Sequence, residues 1–280
     1  MKEYNLRILK AKQAIKQADY IIIGAGSGLS TAAGLLYNGE KFEKDFKEFI
    51  EKYHFDNLYS ASFYEFKTQE EKWAFFAKMI KLNRYNKKPL KLYQELYEIV
   101  RNKEYFVLST NVDGQFYNSG FDKEKVFEVQ GDYEYLQCEN ACNNKLYNNE
   151  KLVERWLRNT KDCKIPSNLV MKCPVCGGNM DMNLRKDANF VQDENWYKAS
   201  NNYKKFLDRI KNKNMVLLEI GVGFNTPGII RFPFEQMTAN NEQTTLIRIN
   251  KDYPLPMLEI KSKTISFDED TNKIIEDLKE

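Results

Sequence analysis

An asparagine and an aspartate two residues apart, Asn111 and Asp113, are the side chains in this sequence best suited to hold a small polar ligand. They lie in the segment Ser109–Gly114, directly after an apolar stretch that is predicted to form a strand. In an extended turn, residues two apart point the same way, so one amide and one carboxylate can face a common ligand. A simple capping turn uses the same residue types, so the segment alone leaves both interpretations open.

A glycine-rich turn over residues 24–28 reads Gly-Ala-Gly-Ser-Gly and precedes a run of small residues. Where such a turn opens a helix, exposed backbone N–H groups and the positive end of the helix dipole attract phosphate. The usual dinucleotide-binding spacing has a third glycine at position 29, where this chain has Leu29. The turn favours dinucleotide binding, and a tight turn with another role is the alternative.

Two later segments also place polar or flexible residues after strands. Residues 221–227 read Gly-Val-Gly-Phe-Asn-Thr-Pro, and their glycines permit close backbone approach. Thr226 and Pro227 are typical of an N-cap and a first helical residue, so a helix is predicted to begin there. Asn250 and Lys251 follow the last strongly apolar strand.

Four of the five cysteines form two close pairs, Cys138 with Cys142 and Cys173 with Cys176. This spacing is typical of a closed four-thiolate zinc site, which organises a small module and takes no part in catalysis. Two alternatives stay open. The thiols can be reduced and metal-free, or Cys163 can replace Cys138 or Cys142 as a ligand.

The scaffold for these groups is predicted from hydrophobic periodicity. An amphipathic helix is expected over residues 6–18, and buried strands are expected over 20–23, 105–108, 215–220 and 244–249. Each strand ends in a polar or glycine-rich loop, and ligands of open parallel sheets collect at these carboxyl ends. The predicted fold class is α/β: a Rossmann-like parallel sheet with helices on both faces, plus a small zinc-binding module and a helical insertion.

The composition excludes several other classes of protein. Charged residues make up 30% of the 280 residues and hydrophobic residues 42%, which indicates a globular chain. A net charge of +3 with interspersed charges gives little support for nucleic-acid binding. The N-terminus has no apolar signal segment, and nowhere do about eighteen apolar residues run together. We expect a soluble cytoplasmic protein with no membrane or nucleic-acid partner.

In order along the chain, these motifs resemble those of the sirtuin family. Residues 24–26 match the Gly-Ala-Gly motif of that family, 110–113 its Gln-Asn-Ile-Asp motif and 129–131 its His-Gly motif. The cysteine pairs follow. Residues 221–223 then stand at the Gly-Thr-Ser position, and 250–251 at the late Asn-Lys-Glu element. The shared order of so many separate motifs makes the resemblance specific.

The departures from the deacylase pattern point to one subgroup. Sirtuin deacylases carry Pro-Asp-Phe-Arg after the first glycine turn, whereas residues 34–37 read Gly-Leu-Leu-Tyr, and residues 183–191 replace the usual Phe-Gly-Glu gate. This pattern resembles the macrodomain-linked, class M sirtuins of microbes. The resemblance implies NAD-dependent protein ADP-ribosylation with release of nicotinamide. It further implies a lipoylated acceptor similar to the glycine-cleavage H protein, and a macrodomain protein that reverses the modification.

Gln130 stands where the sirtuin pattern has its histidine, and the single histidine of the chain is His54. An amide can orient a ligand but cannot take a proton near neutral pH. Cleavage of the nicotinamide–ribose bond needs no base, whereas deacylation needs one to activate a ribose hydroxyl, a contribution of about 10²–10⁴-fold. The sequence therefore predicts NAD cleavage with a severe deacylase defect. His54, among aromatic residues, is expected to be packed or at the surface rather than a substitute base.

The resemblance also implies roles for single residues. Asn111 would lie at the nicotinamide ribose, the Val112 backbone and Asp113 would hold the nicotinamide amide, and Gln130 would contact the ribose hydroxyls. The glycine turn and residues 221–226 would contact the phosphates and the adenosine ribose, and Asn250 would lie on the adenine side. The catalytic residues implied are Asn111, Asp113 and Gln130. The NAD-binding residues implied are Gly24, Ala25, Gly26, Ser27, Thr110, Asn111, Val112, Asp113, Gln130, Gly221, Val222, Gly223, Asn225, Thr226, Asn250 and Lys251.

Residues 1–131 and 191–280 are predicted to form the Rossmann-like NAD-binding domain, with a helical insertion at about 40–104. Residues 132–190 are predicted to form the zinc-binding module, which has few apolar periodicities and so needs a metal staple. The insertion is expected to pack its own aromatic core, and a cover over the NAD site or a docking face is the alternative. Two other functions stay open, a deacylase with a non-histidine base and a catalytically silent NAD-binding module. The presence of Asn111 and Asp113 argues against a module without activity.

Overall fold

The computed structural model describes residues 2–35, 39–85 and 88–279. Leu36 and Tyr37, from the segment that departs from the deacylase pattern, lie outside the described residues. The strands are β1 (Tyr20–Ala25), β2 (Glu104–Ser109), β3 (Val126–Glu128), β4 (Gly131–Cys138), β5 (Tyr147–Asn148), β6 (Met180–Leu184), β7 (Met215–Ile220), β8 (Thr244–Ile249) and β9 (Thr264–Phe267). The α-helices are α1 (Lys2–Gln17), α2 (Ser27–Ala32), α3 (Glu40–Asp45), α4 (Lys47–Tyr53), α5 (Leu58–Ala61), α6 (Gln69–Ile80), α7 (Lys91–Val100), α8 (Gln115–Asn118), α9 (Glu150–Asn159), α10 (Glu194–Ile210), α11 (Arg231–Asn240) and α12 (Thr271–Lys279).

Within the described ranges, six parallel strands form one sheet in the order β3-β2-β1-β7-β8-β9. In β1, Ile21 is in register with Tyr105 on one side and with Val216 on the other. The direction in which strands are added reverses between β1 and β7. In a doubly wound sheet this reversal opens a crevice at the carboxyl ends of the two strands, where ligands bind.

Both faces of the parallel sheet are buried by helices. Ile21 and Ile23 belong to a core cluster that includes buried residues of α1, α7 and α12, whereas Ile22 belongs to a second cluster with residues of α10 and α11. This alternation follows from the two-residue period of a strand. Because both faces are covered, the central strands are mostly apolar on both faces. The predicted α/β fold, with helices on both faces of a Rossmann-like sheet, is confirmed.

The chain divides into two compact units. The first, which we call the sheet unit, comprises Met1–Ala33, Pro89–Gln130 and Glu194–Glu280. The second, the cysteine unit, comprises Gly34–Lys88 and Gly131–Asp193. The domain assignment from the sequence remains a prediction, and the compact units differ from it. The helical segment and the cysteine-rich segment share one unit, and α7 belongs to the sheet unit because its buried face lies in the sheet core.

The cysteine unit has its own core. Phe46, Phe49 and Phe75 are buried and in ring contact, and the indole rings of Trp73 and Trp156 stack with centroids 4.9 Å apart. Its strands form a three-stranded antiparallel sheet in the order β5-β4-β6 within the described part of the chain. The aromatic helices of this unit therefore pack a core of their own, as the helical spacing predicts.

Helices of the length and apolar content needed to cross a bilayer do not occur among residues 2–35, 39–85 and 88–279.

Candidate active site

The loops that follow β1 and β7 cross at the carboxyl edge of the sheet. The Gly26 N–H donates to the Ile220 carbonyl at 3.0 Å, and the Gly28 N–H donates to the Gly221 carbonyl at 3.0 Å. These two amides therefore hold one loop against the other. Both N–H groups already donate to protein carbonyls and do not need a phosphate as acceptor. The glycine turn has a structural role in addition to the phosphate contact expected from the sequence.

Close packing at this crossing explains the choice of glycine. A Cβ atom on Gly26 would lie 2.5 Å from the Gly221 carbonyl oxygen, and one on Gly28 would lie 2.6 Å from the Gly221 Cα. Gly221 itself has a φ of +62°, and a Cβ there would lie 2.4 Å from the Leu29 nitrogen. Since these contacts are with backbone, no side-chain rotation can relieve them.

Substituting Gly221 with alanine is expected to destabilise the protein by about 2–4 kcal/mol, because left-handed strain and a backbone overlap add up. Denaturant unfolding would measure the loss. Gly228→Ala is the matched control, since a Cβ atom at Gly228 has no neighbour within 4 Å in the described part of the chain. Equal unfolding free energies for the two variants would contradict this account of the crossing.

Asn111 and Asp113 are buried beside the glycine turn, with 4% and 1% of their surfaces exposed. The Asn111 Nδ2 donates to the Gly26 carbonyl at 3.0 Å. Asp113 accepts from the Ser30 hydroxyl at 2.6 Å and from the Gln115 N–H at 3.0 Å. The pair is therefore held at the carboxyl end of β2 by the turn after β1, by α2 and by the first residue of α8.

The neighbours of this pair in the motif differ in exposure. Thr110 links the ends of β2 and β1. Its N–H and its hydroxyl both donate to the Ala25 carbonyl, at 3.0 and 3.2 Å. Val112 is half-buried, and Ser27 is exposed at the first residue of α2. The capping interpretation is also partly met, because Asp113 accepts from a backbone N–H two residues ahead.

Gln130 lies in the turn after β3, where its side chain is half-buried. Its Nε2 is 3.4 Å from the Thr226 hydroxyl in the loop after β7. The turn is held from both sides, because the Val129 N–H donates to the Ser109 carbonyl at 3.0 Å and the Trp196 indole N–H donates to the Val129 carbonyl at 3.1 Å. The amide at the position where the sirtuin pattern has its histidine therefore has a fixed backbone and a second polar side chain beside it.

The loop after β7 is partly open to solvent. Val222 is buried, Gly223 is half-buried, and Asn225 and Thr226 are exposed. The helix predicted to begin at Thr226 does not begin there, and this prediction was wrong. Residues 227–230 form a turn and α11 starts at Arg231, because the Pro227 carbonyl accepts from the Phe232 N–H five residues ahead rather than opening a helix.

Asn250 is a positioning residue for two loops. Its Nδ2 donates to the Val222 carbonyl at 2.7 Å, and its Oδ1 accepts from the N–H groups of Asp252 and Tyr253 at 3.1 and 3.0 Å. Both ends of the amide are therefore engaged within the protein. Lys251, the next residue, is exposed.

A buried ionic network, not expected from the sequence, lies under these loops. The Arg248 guanidinium makes two hydrogen bonds to Glu219, at 2.7 and 3.0 Å, and lies 2.9 Å from Glu235. Burial raises the pKa of Glu219, and the guanidinium groups of Arg248 and Arg231 oppose that rise. Arg248 and Arg231 also donate to the Leu255 carbonyl, so the network anchors the segment that follows Asn250.

His54 belongs to the cysteine unit. It is exposed, it ends α4 in the left-handed conformation with φ of 57°, and its N–H donates to the Ile50 carbonyl. This agrees with a surface residue, as expected from the sequence.

Cys138, Cys142, Cys173 and Cys176 bring their sulfur atoms within 4.8 Å of one another. The Sγ–Sγ distances are 3.7 Å for Cys138 and Cys176 and 3.6 Å for Cys142 and Cys173. A tetrahedral zinc ion with bonds of about 2.3 Å holds its sulfurs about 3.8 Å apart, so the four thiols fit the metal. The predicted structural zinc site is supported. Cys163 is not in the group, and therefore the alternative in which it replaces a ligand is excluded.

Comparison with known proteins identifies the family. A protein ADP-ribosyltransferase of Staphylococcus aureus (strain Mu50) is 34% identical over 266 residues, which cover 94% of this chain and 84% of that protein. The chain belongs to the protein ADP-ribosyltransferase family. A second member, from Fusarium oxysporum f. sp. cubense, is named a probable bifunctional ADP-ribose hydrolase/ADP-ribosyltransferase. It is 31% identical over 252 residues, which cover 85% of this chain but 41% of that protein.

Solved structures place this ADP-ribosyltransferase in the sirtuin fold. A Sir2 protein bound to a propionylated peptide matches with a TM-score of 0.62 at 15% identity, covering 96% of this chain and 95% of that one. A Sir2 complex with a p53 peptide and NAD+ matches with a TM-score of 0.59 at 16% identity, covering 94% and 93%. No family model matches the chain.

The structure of this ADP-ribosyltransferase brings the expected NAD-binding residues together at one sheet edge, through the loop crossing and the contacts of Asn111, Gln130 and Asn250. Their roles toward NAD stay predictions. Ser30 and Tyr93 were not expected at the site from the sequence. Their hydroxyl groups lie 3.0 Å apart next to Asp113 and Asn111. Serine in a run of small residues and tyrosine on an amphipathic helix carry no signal of such a contact.

Proposed function

We infer that this enzyme transfers ADP-ribose from NAD to a side chain of a partner protein and releases nicotinamide. The acceptor is a lipoylated carrier similar to the glycine-cleavage H protein. The family assignment supports the transfer reaction, and the resemblance to class M sirtuins supports the carrier. The name of the Fusarium relative pairs ADP-ribose hydrolase with transferase activity, which supports a macrodomain partner that removes the modification.

The observation that carries this function is Gln130 in the turn after β3, beside Thr226. The amide can donate to or accept from a ribose hydroxyl but cannot remove its proton. Deacylation by the usual route needs that proton removed, whereas cleavage of the glycosidic bond does not. The site therefore favours transfer to an external nucleophile over collapse of an acyl intermediate.

The transfer step needs no general base from the sheet unit. The bond between ribose C1′ and the nicotinamide nitrogen breaks, its electron pair leaves with nicotinamide, and positive charge develops on the sugar. A lone pair of the acceptor forms the new bond to C1′, and the acceptor's proton is released to solvent. The protein's task is to hold the leaving group and shape the ribose.

The proposed contacts follow the positions of the side chains. Asn111 contacts the nicotinamide ribose, Asp113 and the Val112 backbone hold the nicotinamide amide, and Gln130 contacts the ribose hydroxyls. The glycine turn and the loop after β7 carry the phosphates and the adenosine ribose, with Asn250 holding the adenine-side loop. The burial of Asn111 and Asp113 supports these roles, because buried polar groups are pre-oriented and lose little mobility on binding.

Incubation with labelled NAD and lipoylated carrier, followed by mass mapping of the carrier, tests the function. We expect nicotinamide release and an added ADP-ribose on one side chain. The same carrier without lipoyl is the matched control, and equal labelling of both would remove lipoylation from the proposal. O-acyl-ADP-ribose formed from acyl-lysine peptides, with no carrier labelling, would instead establish a deacylase.

Substituting Gln130 with alanine is expected to lower the rate of transfer about tenfold, because a hydrogen bond between uncharged groups is lost in the transition state. The rate of carrier labelling at saturating NAD measures the effect. His54→Ala, which removes the only imidazole, is expected to leave the rate within about twofold. The opposite ranking of the two variants would show that histidine is the working group.

A further inference from the structure

Four side chains form a continuous hydrogen-bonded chain in the sheet unit. The Asn111 Nδ2 lies 3.4 Å from the Tyr93 hydroxyl, that hydroxyl lies 3.0 Å from the Ser30 hydroxyl, and Ser30 lies 2.6 Å from the Asp113 carboxylate. All four residues are buried, and Tyr93 and Ser30 have no exposed surface. The chain links the two residues proposed to hold the two halves of the nicotinamide riboside.

The direction of the chain is set at its carboxylate end. One Asp113 oxygen accepts from the Gln115 N–H and the other accepts from Ser30. A hydroxyl has a single proton, so once Ser30 has donated it to Asp113, Ser30 can only accept from Tyr93. Tyr93 then donates to Ser30 and can only accept from Asn111.

This direction fixes the orientation of the Asn111 amide. Its NH₂ group donates to the Gly26 carbonyl at 3.0 Å and to Tyr93 at 3.4 Å. The reverse orientation would set the amide oxygen against two acceptors, the Gly26 carbonyl oxygen, which already accepts from the Leu29 N–H at 3.0 Å, and the Tyr93 hydroxyl oxygen. The carbonyl oxygen Oδ1 is therefore the Asn111 atom that remains for a ligand.

We propose that Tyr93 is a positioning residue, which through Ser30 couples Asp113 to Asn111 so that Asn111 presents Oδ1 to a ribose hydroxyl of NAD. The inference rests on the proposed function of the site. It assigns the chemistry of the contact, since Oδ1 accepts from a sugar hydroxyl and its negative dipole end faces the positive charge that develops on the ribose.

The placement of Tyr93 suits this role. It lies on α7, and its ring packs edge-on against Phe116 with centroids 5.0 Å apart. Tyr93→Phe retains that packing and removes the hydroxyl alone. Tyr105→Phe is the matched control, because Tyr105 is also a buried tyrosine of the sheet unit, and its hydroxyl accepts from the Asp122 N–H near the opposite end of β2.

The first test does not depend on activity. In ¹⁵N-labelled protein without NAD, the Asn111 side-chain NH₂ protons are expected to exchange with solvent about 5–20-fold faster in Tyr93→Phe than in wild type. They are expected to be unchanged in Tyr105→Phe. Equal exchange in wild type and Tyr93→Phe would overturn the proposal, whatever the enzyme's acceptor proves to be.

The second test is a double-mutant cycle on nicotinamide release. Tyr93→Phe and Ser30→Ala are each expected to lower kcat about tenfold with KM for NAD changed less than about twofold, and the double variant to lose no more than either single one. Ser30→Thr, which keeps the hydroxyl, is expected to restore most of the rate. If the two losses in kcat multiply in the double variant, the two residues act independently, and the proposed hydrogen-bonded coupling is wrong. If wild type releases no nicotinamide, the proposed function is refuted instead. The exchange measurement alone then tests whether Tyr93 orients the Asn111 amide.

Discussion

Replacing Asn111 with alanine is expected to lower kcat/KM for ADP-ribosyl transfer by about 10²–10³-fold, the loss typical of removing one pre-oriented polar group from an active site. Two effects combine. The variant loses the oxygen proposed to face the ribose, and it loses the Nδ2 donor to the Gly26 carbonyl that fixes the glycine turn beside β2. Since Asn111 is buried, water cannot replace either contact without reorganisation.

Single-turnover labelling of the carrier and direct NAD binding would measure the two effects separately. Asn202→Ala is the matched control. Asn202 lies on α10 in the same unit, and its amide contacts Glu124 rather than any loop at the site. Wild-type transfer by Asn111→Ala, with NAD bound normally, would contradict the role given to Asn111.

The central strands of the sheet could be predicted because burial on both faces leaves a clear signal. Residues 20–23 and 215–218 are continuous apolar runs, and the structure extends the predicted strands by no more than two residues. Short strands carry no such signal. Val126–Glu128 has three residues and Tyr147–Asn148 has two, so their conformations are set by the neighbouring strands to which they pair.

The site could be predicted in part for a related reason. A parallel sheet brings the carboxyl ends of its strands to one edge, so motifs after β1, β2, β3, β7 and β8 meet there whatever their separation in sequence. The partners that hold them are not local. Tyr93 contacts Asn111 from a helix, and Arg248 stands within an apolar strand because Glu219 on the adjacent strand neutralises it. Pairings of this kind depend on register and helix packing, which periodicity does not report.

The functional prediction depends more on the departures from the deacylase pattern than on the fold. Fold likeness at 15% identity is shared with Sir2 proteins, so it cannot separate transfer from deacylation. The proposed separation rests on the side chain at position 130, where the chain has an amide in place of an imidazole. We propose that this glutamine favours transfer over deacylation, because only the deacylation route needs a proton removed from the ribose.

Substituting Cys173 with serine is expected to abolish zinc binding and unfold the region around β4 and β6. Structural zinc contributes about 10–16 kcal/mol of apparent binding free energy in small modules, far more than this short sheet can replace. The backbone around Cys173 has the hydrogen-bond pattern of a zinc knuckle. The Gly177 N–H donates to the Cys173 carbonyl at 2.8 Å, the Cys173 N–H donates to the Gly178 carbonyl at 2.8 Å, and the Gly178 N–H points at the Cys176 sulfur at 3.4 Å.

Metal analysis of purified protein would give one zinc per chain in wild type and almost none in Cys173→Ser, with lost protection of β4 amides in hydrogen exchange. Cys163→Ala is the matched control, because Cys163 is buried in the same unit but is not one of the four clustered thiols. It should retain its zinc, even if it loses about 1–2 kcal/mol of stability from the cavity. Since the thiolates would fill all four positions of a tetrahedral ion, none is open to substrate, and the metal's effect should be on folding alone. Normal zinc content in Cys173→Ser, or loss of zinc in Cys163→Ala, would show that the ligand set is wrong.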